Sequence, residues 1–438
     1  MKKSSLAIVI ALVVFIVIAW GVNIFNSTSQ LQERNVHLKS AAKYMEEGLY
    51  QKAIAEYDTA LAMKDEMDVK LKWLEAYDQG YQDNVVTYTD YANALMQMCE
   101  QQPTDGQYWE RVIHLYINND KMTKAHEVYM ASVKEGAKSE QLTALGDVIL
   151  YSYRSTAKAY AEVIEGANGA FSVNDGEGWG LIEPTGDTLA DCDYQYVGPY
   201  NSSGHTLKVT DKDKRLFDGE EVVQAIIDKE FTRCGAYAEG LLPVMTGDKY
   251  WKYLDCENDT FVLETYEMAS NFSDSVAAVN KNGKWSLINR TGETVCSETF
   301  DNIKLAPCGD YVRDGIMIAS QKGKYGIYNA EGRCLVDLNC TDMDVYMGGY
   351  IAFQASNGKW GYVDSKGNEV ISAQYDHARS FSGNLAAVCK DGLWGFIKND
   401  GTVVIELQYM DARYFNANGI CFISEYTDLY SMIKLRFV

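Results

Sequence analysis

The residues able to do chemistry in this chain are scattered rather than grouped. His205 and His377 are the two histidines beyond residue 166, where a serine nucleophile would need a nearby general base. His377 stands in a segment whose next copy carries Asp411 at the same phase, which fits a surface loop better than a catalytic base. The stretch TDKDKRLFDGEE, Thr210 to Glu221, opens like a calcium loop at Asp211. An EF-hand needs an oxygen ligand at its fifth position and glycine at its sixth; Arg215 and Leu216 stand there. His114 and His126 lie on helical stretches whose faces need not coincide, a poor basis for a metal pair. The ten cysteines include no CxxC, and no Cys/His cluster has zinc spacing. No phosphate-cradling glycine loop precedes a helix. Acids are plentiful enough for a glycosidase-type pair, but sequence does not reveal their separation. The residues point to no catalytic set, no metal and no cofactor, and so to a protein that is not an enzyme.

The formal charge of −21 disfavours nucleic acid as a partner, because binding phosphate needs a basic surface. The first residues stand apart. MKKSSLAIVIALVVFIVIAWGVNIF has Lys2 and Lys3, then an uncharged apolar run from Leu6 to Val22, extended by Ile24 and Phe25. About 20 such residues cross a bilayer core. The positive-inside tendency puts Met1 in the cytoplasm and the chain beyond Asn26 outside it. A cleaved signal peptide is the rival, but it needs a shorter apolar core and a small-x-small site that IAWGVN does not offer. The expectation is a single-pass protein of the cell membrane, held through residues 6–25, with residues 1–30 as stub and anchor.

Residues 31–166 read as helical. In EEGLYQKAIAEYDTALAMKD, Tyr50, Ala53-Ile54, Tyr57 and Ala60-Leu61 recur at steps of three and four. Small residues at Ala53 and Ala60 allow close helix approach, with Tyr57 between them. This resembles the second half of a tetratricopeptide unit, and Tyr108 to Val133 gives a weaker copy. The resemblance implies a groove for a peptide or helix; a plain spacer is the alternative. SEQLTALGDVILYSYRSTAKAYAEVIEG reads as one or two closing helices, with Gly166 as the stop.

Over residues 167–438 the period changes. Trp179, Trp251, Trp285, Tyr325, Trp360 and Trp394 open similar stretches, with a worn copy at Lys214, spaced by 35, 37, 34, 40, 35 and 34 residues. Seven residues after the anchor come Gly186, Gly292, Gly332, Gly367 and Gly401, which mark a tight turn. An aromatic follows fifteen residues after the anchor, as in Tyr375 and Tyr409, and another at twenty-one, as in Phe381 and Phe415. Each unit should hold three strands, with stretches such as YDHARSF crossing to the next. Cys192, Cys296 and Cys334 fall at odd phases and suit small buried thiols, although a Cys334–Cys340 bridge stays open.

These residues resemble the WG-repeat family, also called KWG repeats, over about Phe171 to Ile423. The motif is sharpest in KWGYVDSKGNEVISAQYDHARSFSGNLAAV. The resemblance implies a binding or scaffold role and supplies no catalytic residues. The expected fold is therefore multidomain: a transmembrane helix, an all-α repeat segment, then an all-β domain of about seven units. Closure into a propeller-like ring is favoured slightly over an open spiral, because it removes exposed edges. The expected partner is a protein or cell-surface ligand, with Tyr375, Arg379, Tyr409 and Arg413 as the candidate contact face. A polysaccharide- or peptide-acting enzyme and a purely structural stalk remain as alternatives. Differences between copies, at Lys214, in the long unit between Trp285 and Tyr325 and in the crossing loops, are where function should lie.

Overall fold

A computed structural model describes residues 29–218, 221–222, 227–426 and 428–437. The chain divides between Ile149 and Leu150 into two compact units. The first is helical: α1 (29–46), α2 (Tyr50–Met63), α3 (Met67–Gln82), α4 (Tyr88–Gln101), α5 (Gly106–Asn118), α6 (Met122–Lys134) and α7 (Glu140–Leu150). Ala53, Tyr57 and Ala60 are buried on α2, as their spacing requires. Trp73 of α3 donates to Asp58 at 2.8 Å, and Tyr91 of α4 donates to Asp78 at 2.8 Å, so buried ring edges keep polar partners.

The second unit is a ring of eight small antiparallel sheets, an eight-bladed β-propeller. Blade 7 shows the plan: His377–Ala378, Leu385–Lys390, Leu393–Lys398 and Val403–Tyr409 pair in sequence order. The second strand is buried almost throughout and the third over Gly395–Ile397, whereas the fourth alternates exposed and buried residues, as an outer strand must. Alternate residues face alternate neighbours. Ala386 and Val388 join the core shared with blade 6, and Leu385 and Ala387 the core shared with blade 8. Phe381 is fully buried, edge-on to Tyr362 at 4.9 Å.

The glycine that follows four of the anchors, Gly180, Gly326, Gly361 and Gly395, lies against the fourth strand of its own blade, whereas blade 3 carries Lys252 in that place. The fourth strand bulges, so that Trp360 pairs with Tyr375 but Tyr362 with Ile371. A Cβ on Gly361 would lie 2.6 Å from the Ile371 carbonyl oxygen, and one on Gly395 2.6 Å from that of Ile405. Blade 4 has Ser286 in that place, and its fourth strand is reduced to two isolated bridges. The five turn glycines all have φ between 83° and 88°. A Cβ on Gly367 would also strike Val336 of the preceding blade at 2.5 Å.

Several expectations need correction. The transmembrane helix expected over residues 6–25 falls outside the described residues, and among the described residues no helix is long and apolar enough to cross a membrane. Among the described residues the fold is therefore a helical unit followed by a propeller. The units number eight rather than seven, and seven of them have four strands, because the crossing stretches contain two-residue strands such as His377–Ala378. Residues 153–165 are strands rather than closing helices. Tyr153–Tyr160 supplies the outer strand of blade 8, beside Tyr430–Leu435, which settles closure. Blade 8 then packs on blade 1, where Phe422 meets Phe171 edge-on at 4.9 Å.

Candidate functional site

In each blade a short inner strand is followed by a loop beside the ring axis. That loop has five to seven residues in seven blades and twelve in blade 5, Lys304 to Gly315. The extra length is the long unit between Trp285 and Tyr325. Its Ala306 and Cys308 pack with Val345, Met347 and Tyr414 of blades 6 and 8, with Ala167 of blade 1 against them. Asn271 of blade 4 pins it, donating to the Cys308 carbonyl and to Asp310, both at 2.8 Å. The insertion is a plug. It parts the axial channel into two cavities, with Ala306 and Cys308 walling one and Ala167 and Met347 the other.

The larger cavity measures about 650 Å³. It opens on the face where the inner strands and the anchor strands begin. Trp179, Tyr196, Trp251 and Met268 line it, and Leu305 to Gly309 close its far end. Glu162 and Arg233 form a 3.7 Å ion pair at its rim, both about half exposed. Burial pushes the Cys234 thiol in its wall up to about 12, so it is no thiolate at neutral pH.

The smaller cavity, about 220 Å³, lies at the opposite end of the loops and is lined by Glu165, Asn168, Arg313, Met347 and Ser382 among others. Beside it runs a polar network. Asp411 accepts from Arg379 at 3.0 Å and from Tyr430 at 2.6 Å. Asp344 accepts from the Ser380 N–H at 2.6 Å and from Tyr414 at 2.7 Å.

The candidate residues read from the sequence fall as follows. Trp179, Trp251, Trp285, Tyr325, Trp360 and Trp394 open or lie at the start of the third strand of six blades; Trp179, Trp285 and Trp360 are buried and the others partly so. Two of them line the large cavity. Gly186, Gly292, Gly332, Gly367 and Gly401 all sit in the turn before the fourth-strand segment. Tyr375 and Tyr409 are not a contact face: they are 6% and 3% exposed, because the end of each fourth strand is covered by the next blade. Arg379 and Arg413 turn to the axis, where both approach Asp411, at 3.0 and 3.8 Å. His377 stacks on Trp394, and His205 lies 4.0 Å from Asp218. All ten cysteines are free; Cys334 is exposed while Cys340 is buried. Glu165, Arg313 and Asp344 escaped the sequence reading. Arg313 lies in the long unit between Trp285 and Tyr325, whose extra length is visible in the sequence, whereas nothing there marks Glu165.

The WG containing repeat matches residues 179–207, 224–250, 257–285, 360–394 and 394–425. Five stretches of the propeller thus match this repeat. No curated protein matches the chain. Among solved structures, the chain is similar to the computationally designed Ika8 protein, at 13% identity and TM-score 0.43, covering 65% of this chain and 99% of that one. It is also similar to BamB from Moraxella catarrhalis, at 12% identity and TM-score 0.39, covering 65% and 97%.

Proposed function

We propose that this protein is a binding scaffold rather than an enzyme, and that its propeller receives a segment of a protein partner in the large axial cavity. The carrying observation is the shape and lining of that cavity. It is blind, stopped by the Leu305–Gly309 plug, and walled by Trp179, Trp251, Tyr196 and Met268 with a charged pair at the rim. Aromatic, Met and Arg residues around a desolvated pocket are the composition favoured where one protein anchors another. A blind pocket suits an inserted side chain or loop tip and not a threaded strand. The WG repeats support a protein-interaction role.

The test is affinity capture with the full chain and with Met268→Glu, which places a charge at the cavity wall where the side chain is 41% exposed. The expected result is a defined partner retained by the wild type and lost from the variant, with unchanged circular dichroism. Recovery of the same proteins by both forms, or of none by either, would overturn the reading.

A further inference from the structure

Glu165 and Arg313 face the smaller cavity from blades 1 and 5, on opposite sides of an eight-bladed ring. The charged groups nearest them each have a charged or hydrogen-bonding partner, although Arg413 Nε makes no hydrogen bond among the described residues. Arg379 and Arg413 both approach Asp411, and Asp344 accepts from Tyr414 and the Ser380 N–H. The Glu165 carboxylate, by contrast, has no hydrogen bond or ion pair among the described residues. Among the described residues, the Arg313 side chain has a single long hydrogen bond, Nη1 to the Met347 carbonyl at 3.4 Å, and no carboxylate within 4.0 Å. Protein surrounds Glu165, which keeps part of its surface open to the cavity.

Leaving two opposite charges unpaired at one enclosed site is costly unless something bridges them. With Glu165 ionised, the cavity is dipolar and, counting these two groups, neutral. A simple cation would answer Glu165 and leave Arg313 alone; a simple anion would do the reverse. We propose that the cavity binds a small zwitterion of the free α-amino-acid type, with its ammonium group on Glu165 and its carboxylate on Arg313. At about 30 Å³ per water, the cavity volume of about 220 Å³ matches roughly seven waters, the scale of a small amino acid. Asn168 and Ser382 add polar atoms to the wall, and Met347 and Ala167 give it an apolar side. The walls are held in place beforehand. Asn416 of blade 8 donates to the carbonyls of Gly169 and Pro184 of blade 1, both at 2.8 Å. Ala417 and Asn418, both exposed, mark the entrance.

Calorimetric titration of the full chain with the common free amino acids tests the site. At least one should bind saturably. Its methyl ester and its N-acetyl derivative, each lacking one charge, should bind about tenfold or more weakly, as loss of a charge-assisted contact implies. Glu165→Gln and Arg313→Gln should each weaken binding of the free amino acid to a similar degree. Repeating the titration near neutral pH in buffers of different ionisation enthalpy adds a further readout. Burial raises the Glu165 carboxyl to about 7, against the pull of Arg313, Arg413 and Arg379, with Tyr414 and Cys421 also near it. An ammonium group bound there should release protons. Absence of binding at millimolar concentrations across the panel would overturn the proposal. So would equal affinity for the ester or the N-acetyl form, an arm that needs no variant to fold. The large cavity lies on the other side of the plug, so Met268→Glu should leave this binding unchanged even if partner capture fails.

Discussion

Arg379 reaches from blade 7 to blade 8, donating through Nη2 to Asp411 at 3.0 Å and through Nε to the Ala412 carbonyl at 2.7 Å. One guanidinium thereby ties two consecutive inner strands beside the axis. Burial opposes the Asp411 charge, but the hydrogen bond from Tyr430 and the guanidiniums of Arg379 and Arg413 outweigh it and hold the carboxyl below its usual value. A folded-state pKa below the unfolded one contributes stability at neutral pH that is lost as pH falls through the folded value. Urea unfolding should show Arg379→Met destabilised by about 3 kcal/mol at neutral pH, the scale for breaking a largely buried pair. Asp411→Asn should also be weaker at neutral pH, and should lose less than wild type on acidification below about pH 4.

Glu165 has the opposite sign. Burial raises its carboxyl to about 7, so the folded state holds a proton that the unfolded state has already released. Stability from this group is present below the unfolded pKa of about 4.3 and falls as pH rises toward 7. The change amounts to roughly 3 kcal/mol. Glu165→Gln should flatten that part of the curve and be the more stable form at about pH 8. Denaturant midpoints across the range check it. A variant whose profile parallels wild type would show that Glu165 does not titrate there.

Two glycines separate steric need from chain entropy. Gly361→Ala puts a methyl 2.6 Å from the Ile371 carbonyl, so it should cost about 2 kcal/mol or more by overpacking. At Gly247 nothing lies within 4 Å, and its φ is one that L residues adopt. Gly247→Ala should therefore be neutral or stabilising by about 0.5 kcal/mol, through the unfolded chain. Thermal melting of the two variants under one condition decides the point.

Ile433 is fully buried in the closing blade, paired with Ser155 on one side and Cys421 on the other. Ile433→Asp should cost about 4 kcal/mol or more, from lost packing and an unpaired buried charge. Because the defect sits at the ring's closure, native-state hydrogen exchange should rise first in 153–160 and 430–435. Uniform loss of protection around all eight blades would argue against a local closure.

The repeat was readable because its constraints are local. The Trp-Gly pair meets a bulge in its own blade, and the turn glycines sit in a two-strand turn, so each leaves a mark at fixed spacing. The eighth blade left none. Its third strand begins at Tyr430 without a following glycine, and its fourth strand comes from the far end of the ring. The segment Tyr153–Tyr160 carries Ala, Lys and Arg that suit a helix, and only pairing with Tyr430–Leu435 makes it a strand. Tyr375 and Tyr409 looked exposed because a two-residue strand is indistinguishable from a loop in sequence. The Glu165–Arg313 site was invisible for a plainer reason: its halves are 148 positions apart and meet only because the ring closes.

Closure by Tyr153–Tyr160 also sets a timetable for synthesis. The first strand of the ring leaves the ribosome early, but its partner Tyr430–Leu435 is the last strand of the described chain. At about 5–20 residues per second, the roughly 240 residues from the end of blade 1 to that strand take some 10–50 seconds. For that interval the nascent ring is an open arc whose first end carries an unsatisfied strand and, beside it, an apolar sheet face that includes Phe171. Two neighbouring ribosomes on one message would hold such arcs side by side. Exchange of the first strand between chains is then in direct competition with closure within one chain, and the speed of the final forty residues decides which product forms.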